Sequence, residues 1–229
     1  VGSVDAIGTT LVRSAPLICA ALGVTLAFRA GLFNIGAQGQ LVVGALFAGY
    51  VGFTWDLPRP IHILAAVLAG MLGGAIWGGI AGFLKARTGA HEVITTIMLN
   101  YLATTFLLNY LLSKEAFQRP GSDNAQSPPP NDSAIFFSVG KVHLGVLLAF
   151  LAAFAVWWLI ERSTLGFELR AVGANADAAR TAGMSVGRVY TLAMVLAGML
   201  AGLAATMNLL GKGDSLSAGM AGTIGFDAI

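Results

Sequence analysis

Six stretches of this chain are too apolar for water, and lipid leaves a backbone few choices. A peptide unit in hydrocarbon must find its hydrogen bonds within the protein, and a helix does this segment by segment. The runs fall near 7–28, 36–53, 61–84, 93–112, 142–160 and 189–210. Five approach or exceed the roughly 20 residues a helix needs to cross the hydrocarbon core, and the run at 36–53 is shorter. Composition agrees. Only 10% of the 229 residues are charged, against about 25% in soluble domains. The mean hydropathy is +0.78. The sequence therefore predicts an all-α, polytopic transmembrane bundle forming one domain over 1–229. A net charge of +2 gives no reason to expect a nucleic-acid partner, and the lipid bilayer is the expected surroundings. Cys19, the one cysteine, lies in an apolar run and reads as a small packing residue.

The joints differ in kind. Residues 54–62 (TWDLPRPIH) form a turn fixed by Pro58 and Pro60, and residues 85–92 (KARTGAHE) form a short basic turn. Residues 113–141 are long and polar, with Pro128, Pro129 and Pro130 barring a helix. Residues 161–188 are polar yet helix-friendly, with a short helix expected at 176–182. Alternating passes put Arg29, Lys85, Arg87, Arg162, Arg170, Arg180 and Arg188 on one side of the membrane. Arg59, Lys114, Arg119, Lys141 and Lys212 fall on the other, with Glu115, Asp123 and Asp132 in the long loop. Positive charge favours the cytoplasm. The arginines of 161–188 therefore place that loop inside and the proline-rich loop outside.

One passage breaks the apolar pattern. In FRAGLFNIGAQGQ, residues 28–40, amides and glycines stand at the mouth of a span. Asn34 and Gln38 are four apart and would share a helix face. The glycines Gly31, Gly36 and Gly39 permit irregular backbone, which survives at membrane depth only where protein or water satisfies it. A broken or re-entrant helix near 31–40 is expected, facing either neighbouring helices or a solute path. Glu92, Thr96 and Asn100 recur every four residues and make a second polar stripe that cannot face lipid cheaply. It looks toward helices or a cavity. Arg13, six residues into the first run, reads as a side chain snorkelling to the interface. The small-residue patterns at 69–82 and 197–205 suit close helix packing, within the chain or between subunits. His62, His91 and His143 lack ligand spacing, and no phosphate-cradling or nucleophile motif is present.

Four phrases carry a family resemblance: GLFNIGAQGQ (31–40), HEVITTIMLNYLA (91–103), LGFELRAVGANADAARTAGMSV (165–186) and GTIGFDAI (222–229). Together they resemble permease subunits of ATP-binding-cassette importers for branched-chain amino acids, ribose and nucleosides. The second phrase is similar to permeases partnered with basic-membrane-protein-type lipoproteins, which import nucleosides or simple sugars. His91 stands where that phrase has Asn, Gln38 where Glu is common, and Thr181 where Tyr is frequent. The chain opens at Val1 and closes on GTIGFDAI, and the later spans of such permeases are absent, so it reads as a fragment of a larger permease domain.

The resemblance implies a multi-pass subunit of the bacterial plasma membrane that does no chemistry and binds no cofactor. ATP would be used by separate ABC ATPase subunits. A substrate-binding lipoprotein would deliver the solute from outside, and a second permease subunit, a paralogue, would complete the pathway. Asn34, Gln38, Gln40, Glu92, Thr96 and Asn100 become pathway candidates. Gly166, Arg170, Gly173, Asn175, Ala178, Ala179 and Gly183 become the ATPase-coupling loop, with Gly173 shaping the turn before the short helix, Asn175 capping it and Ala179 on its small docking face. Two other readings are carried. One is a branched-chain amino acid permease of the same group. The other is an ion-coupled secondary transporter, for which Glu92 is the coupling candidate. A membrane scaffold is a third, weaker one.

Overall fold

A computed structural model describes residues 3–114, 116–121, 125–217, 219 and 222–229; Glu115 and Asp123 of the outer-loop charge count lie outside these. The helices are α1 (Val4–Arg29), α2 (Ala37–Thr54), α3 (Arg59–Thr88), α4 (Glu92–Tyr101), α5 (Asn109–Leu112), α6 (Leu144–Arg162), α7 (Thr164–Ala174), α8 (Ala176–Thr181), α9 (Val186–Lys212) and α10 (Ile224–Asp227). A π-helical segment, Leu102–Leu108, joins α4 to α5. The one sheet among the described residues is a hairpin of β1 (Ser138–Val139) and β2 (Val142–His143), in register Ser138 with His143.

Among the described residues five helices are long and apolar enough to cross a membrane: Asp5–Arg29, Arg59–Thr88, Glu92–Leu112, Leu144–Arg162 and Val186–Lys212. Helix α2, the shorter run of the sequence, is not one of them, and its position explains its composition. Fourteen of its 18 residues are buried, so protein surrounds it more than lipid could. Two boundaries also shift. The expected basic turn at 85–92 is largely helix, since α3 runs on to Thr88 and ends at Gly89 with φ +69°. The fifth run begins as strand, with helix only from Leu144.

The frame is a close antiparallel crossing of α3 and α9. Glycines recur every four residues along α3, at Gly70, Gly74, Gly78 and Gly82, and therefore share one face. A methyl group on Gly82 would lie 2.9 Å from the Thr191 Cα, and one on Gly74 would run into the carbonyl oxygen of Gly198. Helix α2 completes the contact: a methyl on Gly44 would lie 2.6 Å from the Gly202 Cα and 3.0 Å from the Gly70 oxygen. Lipid gives helices no hydrophobic reason to associate, so van der Waals contact between small faces has to hold them. Of the two uses open to the small-residue patterns, this is packing within the chain. Helix α1 joins the other side of α9, where a methyl on Gly23 would stand 2.7 Å from the Ala197 oxygen. The outer faces of α3 and α6, with Leu64, Leu68, Leu72, Phe150 and Phe154, are exposed and apolar, as lipid requires.

At the end opposite the arginine-rich loop, the proline-rich segment is fastened to the helix ends. Asn131 donates its N–H to the Gly52 carbonyl (2.8 Å) and its side-chain amide to the Trp55 carbonyl (2.9 Å). His62 Nε2–H donates to the Val51 carbonyl at 3.0 Å, which fixes the tautomer and leaves Nδ1 for the Ser133 hydroxyl at 2.8 Å. Arg59 reaches the Ile135 carbonyl at 3.2 Å and lies over the Phe137 ring. His143 caps α6 by accepting from the Gly145 N–H at 3.0 Å. Burial, and then the nearby Lys212 ammonium, hold its pKa below the usual imidazole range, which suits an acceptor nitrogen.

Replacing Gly74 by Val would force α3 from α9. The expected loss is about 1–3 kcal/mol or more, read as a lower melting temperature of the purified protein, with Leu68→Ala on the lipid face changing little. Equal melting of Gly74→Val and wild type would contradict the crossing.

Candidate functional site

The break between α1 and α2 builds the site. α1 stops at Arg29, Gly31 takes φ +76°, and helix resumes only at Ala37. Two to three turns of the neighbouring helix separate this restart from the arginine-rich end. Asn100, which meets the restart, is eight residues into α4, about 12 Å of helix. Non-helical backbone therefore sits well inside the bilayer's roughly 30 Å core.

Its polar groups are met by buried amides. Asn100 donates to the Ile35 carbonyl at 2.8 Å and accepts from the Gly39 N–H at 2.8 Å. Asn34 accepts from the Gly36 N–H at 2.9 Å and exchanges two side-chain bonds with Gln40, at 3.3 and 3.4 Å. Gln38 bonds the other way, donating to the Gly222 carbonyl and accepting from the Gly225 N–H, both at 2.9 Å. It thereby ties the last described segment, with α10, to the restart of α2. The expected shared face of Asn34 and Gln38 is not found: Asn34 precedes the helix, so helical spacing does not apply, and Gln40 is its partner instead.

The stripe Glu92–Thr96–Asn100 divides. Thr96 and Asn100 are buried against the break, and Thr96 turns its hydroxyl onto the Glu92 carbonyl at 2.7 Å. Glu92 also turns inward, at the arginine-rich end, its carboxylate paired with Lys85 of α3 at 2.8 Å and only 12% exposed. A carboxylate already neutralised by a neighbouring ammonium is poorly placed to be an ion-coupling site, which weakens the secondary-transporter reading.

Beside the break lies a cavity of about 350 Å³, lined by Ile35, Gln38, Ile97, Asn100, Tyr101, Thr104 and Phe226. Of the sequence-predicted candidates only Gln38 and Asn100 reach it; Asn34, Gln40 and Thr96 support its wall. Sequence reasoning missed Tyr101, Thr104 and Phe226. Thr104 was within reach, since it extends the every-fourth stripe one step and donates to the Asn100 carbonyl at 2.8 Å. Phe226 had no local signal, because only tertiary contact brings it to Gln38.

The 161–188 loop holds two helices where one was expected. Ser163 caps α7 through the Gly166 N–H at 3.0 Å. Arg170 bonds the Ile160 carbonyl, with Glu161 at 3.9 Å. Asn175 caps α8, accepting from the Asp177 and Ala178 N–H groups, both at 3.0 Å. Gly183, φ +88°, closes the segment in a left-handed turn. Two expectations need correction. Gly173 shapes no turn: it lies inside α7, and a methyl there would strike the Arg29 carbonyl, so its smallness lets α7 pack on the Arg29–Gly31 corner. Ala179 is 5% exposed and faces the protein; Asp177, Ala178 and Arg180 face outward.

A membrane bundle whose second helix begins after non-helical backbone at membrane depth, beside a partly polar cavity, has the build of a transport permease, since broken helices at that depth are where transporters hold solutes. The chain belongs to the family described as the branched-chain amino acid transport system permease component, which matches residues 6–229. It is 40% identical to the guanosine ABC transporter permease protein NupP of Bacillus subtilis, over 100% of this chain and 67% of the relative; a second guanosine permease of that organism is also similar. It is 38% identical to the glucose permease protein TsgB13 of Haloferax volcanii, over 96% of this chain and 60% of the relative. It is 36% identical to the nucleoside permease protein NupB of Lactococcus lactis, over 88% and 58%. The chain thus spans about three fifths to two thirds of these relatives' length. No solved structure matches it.

Asn100→Leu would leave the Ile35 carbonyl and the Gly39 N–H without partners. The expected cost is about 1–3 kcal/mol for each group, read by thermal unfolding in detergent. A melting temperature equal to wild type would show that the break does not depend on this amide.

Proposed function

We propose that this chain forms the translocation pathway of an ATP-driven importer, and that its solute is a neutral nucleoside or simple sugar. The observation that carries this reading is the cavity at the break. Its lining holds two amides, two hydroxyl side chains, two aromatic rings and aliphatic side chains, with no charged group among the described residues. A branched-chain amino acid presents an ammonium and a carboxylate, and this lining offers no charged side chain to pair with either. A nucleoside or sugar presents hydroxyls and amide-like edges, which amides and hydroxyls meet. The names of the relatives, guanosine, nucleoside and glucose permeases, support the same class.

The pathway residues are Gln38 and Asn100 at the cavity, with Asn34, Gln40 and Thr96 holding the break and Glu92 at its inner mouth. The arginine-rich end faces the cytoplasm, where α7 and α8 meet ABC ATPase subunits. The exposed face of α8, around Ala178, is the docking face, and Gly166, Arg170, Asn175 and Gly183 hold the loop in shape. Closure of the ATPases on ATP moves α7, and its backbone contact through Gly173 carries that motion to the Gly31 corner below the cavity. The loop between α5 and α6, fastened through its residues 127–136, faces outward, toward a substrate-binding lipoprotein. A paralogous second permease completes the pathway, an arrangement supported by the two guanosine permeases of one organism. ATP is consumed by the partner and not by this chain.

The test is uptake by vesicles carrying the full-length permease with its ATPase, second permease and lipoprotein. Labelled guanosine, ribose and leucine are offered with either internal ATP or a proton gradient as the energy source. The expected result is ATP-dependent entry of guanosine or ribose. Ala178→Glu should reduce it roughly tenfold, within the range of a typical coupling energy, at an unchanged membrane level. Entry driven by the gradient without ATP would overturn the importer reading. ATP-driven entry of leucine alone would overturn the solute.

A further inference from the structure

Two large rings border the cavity at the break, and neither has been given a task. Tyr101 is 71% exposed and Phe226 is 51% exposed, yet both share their exposed space with Gln38 and Asn100. The exposed rings of α3 and α6, Phe83, Phe150 and Phe154 among them, do not line this cavity.

The amides beside these rings are pre-set. An amide side chain offers two N–H donors and two acceptor lone pairs. Gln38 spends one of each on Gly222 and Gly225, and Asn100 spends one of each on Ile35 and Gly39. Each keeps one donor and one acceptor, in an orientation already fixed by backbone. A donor next to an acceptor is the pattern with which Asn and Gln read the edge of a nucleobase. Aromatic side chains, in turn, bind bases through their faces. The space of about 350 Å³ lies at the lower end of the range for small-molecule sites.

We propose that Tyr101 and Phe226 are specificity-determining residues that stack on a planar heterocyclic base, while the free donor and acceptor of Gln38 and Asn100 meet its edge. The solute class narrows from a neutral nucleoside or sugar to a nucleoside. A simple sugar has no π face to return the stacking. This inference rests on the importer reading above.

The test uses the complete transporter in vesicles, with ATP inside and labelled guanosine or ribose outside. Tyr101→Leu and Phe226→Leu should each lower guanosine uptake about tenfold, at equal protein level and with the melting temperature of the purified complex unchanged. Tyr101→Phe and Phe226→Tyr should keep wild-type uptake, because they keep the ring. Wild-type rates in both leucine variants would overturn the inference. So would a loss of uptake accompanied by a lower melting temperature, which would assign the rings to packing. Wild-type import of ribose without guanosine would overturn base stacking and leave the importer reading intact. If neither solute entered with ATP, the importer reading itself would fall.

Discussion

Where α3 and α9 cross, the carbonyl oxygens of one helix occupy the places where side chains of the other would begin. Gly74 and Gly198 face one another in this way, and Gly70 and Gly202 repeat the arrangement one turn along. Such contact gathers many small dispersion terms and needs no solvent to drive it. It also fixes how far apart the two helices stand, and so how much room is left for α2. With Gly44 pressed into the same crossing, α2 is held by protein on most of its surface. A helix so enclosed is free of the rule that its residues must suit lipid, and its first turn can carry Gln38 and Gln40.

That freedom has a consequence for the backbone before it. Residues 33–35, between the last bond of α1 and the first of α2, make no backbone–backbone hydrogen bond, and at this depth other groups must stand in for them. Asn34 and Asn100 act as substitutes, each bonded to main chain that would otherwise be orphaned. The polar stripe on α4 is therefore foremost a structural counterpart of the break. Where its last member and Gln38 reach past the backbone, the same amides line the cavity. In the proposed function, support and recognition share side chains, and the orientation that support imposes is what a binding site needs.

Much of this was legible in the residues and some was not. The apolar runs gave the helices, and the glycines and amides at 31–40 gave the break, because both follow from what lipid permits. The every-fourth recurrence of Glu92, Thr96 and Asn100 pointed inward correctly, toward other helices, for all three. Glu92 meets a lysine seven positions earlier, on a helix longer than expected, while Thr96 and Asn100 meet the break. The face shared by Asn34 and Gln38 was misjudged because a helical period was applied across a stretch that is not helical. Ala179 was misjudged because a small residue allows close approach without saying whether the neighbour is the protein's own or a partner, and Gly173 because a glycine serves a turn and a close helix contact alike. Phe226 illustrates the limit most plainly, since its place beside the cavity depends on a chain that turns back after α9.

The central claim is that the space beside the break is a solute path and the faces of α3 are not. Cys19, the one cysteine of residues 1–229, is fully buried, and labelling of the transporter without an introduced thiol sets the background. Thr104→Cys, in the cavity, and Leu68→Cys, on the exposed outer face of α3, would each be exposed to a charged, membrane-impermeant thiol reagent in the assembled transporter. The account predicts that Thr104→Cys is modified and that guanosine slows the reaction, while Leu68→Cys stays inert in lipid. Equal inertness of the two, or modification of Thr104→Cys that no nucleoside or sugar slows, would contradict it.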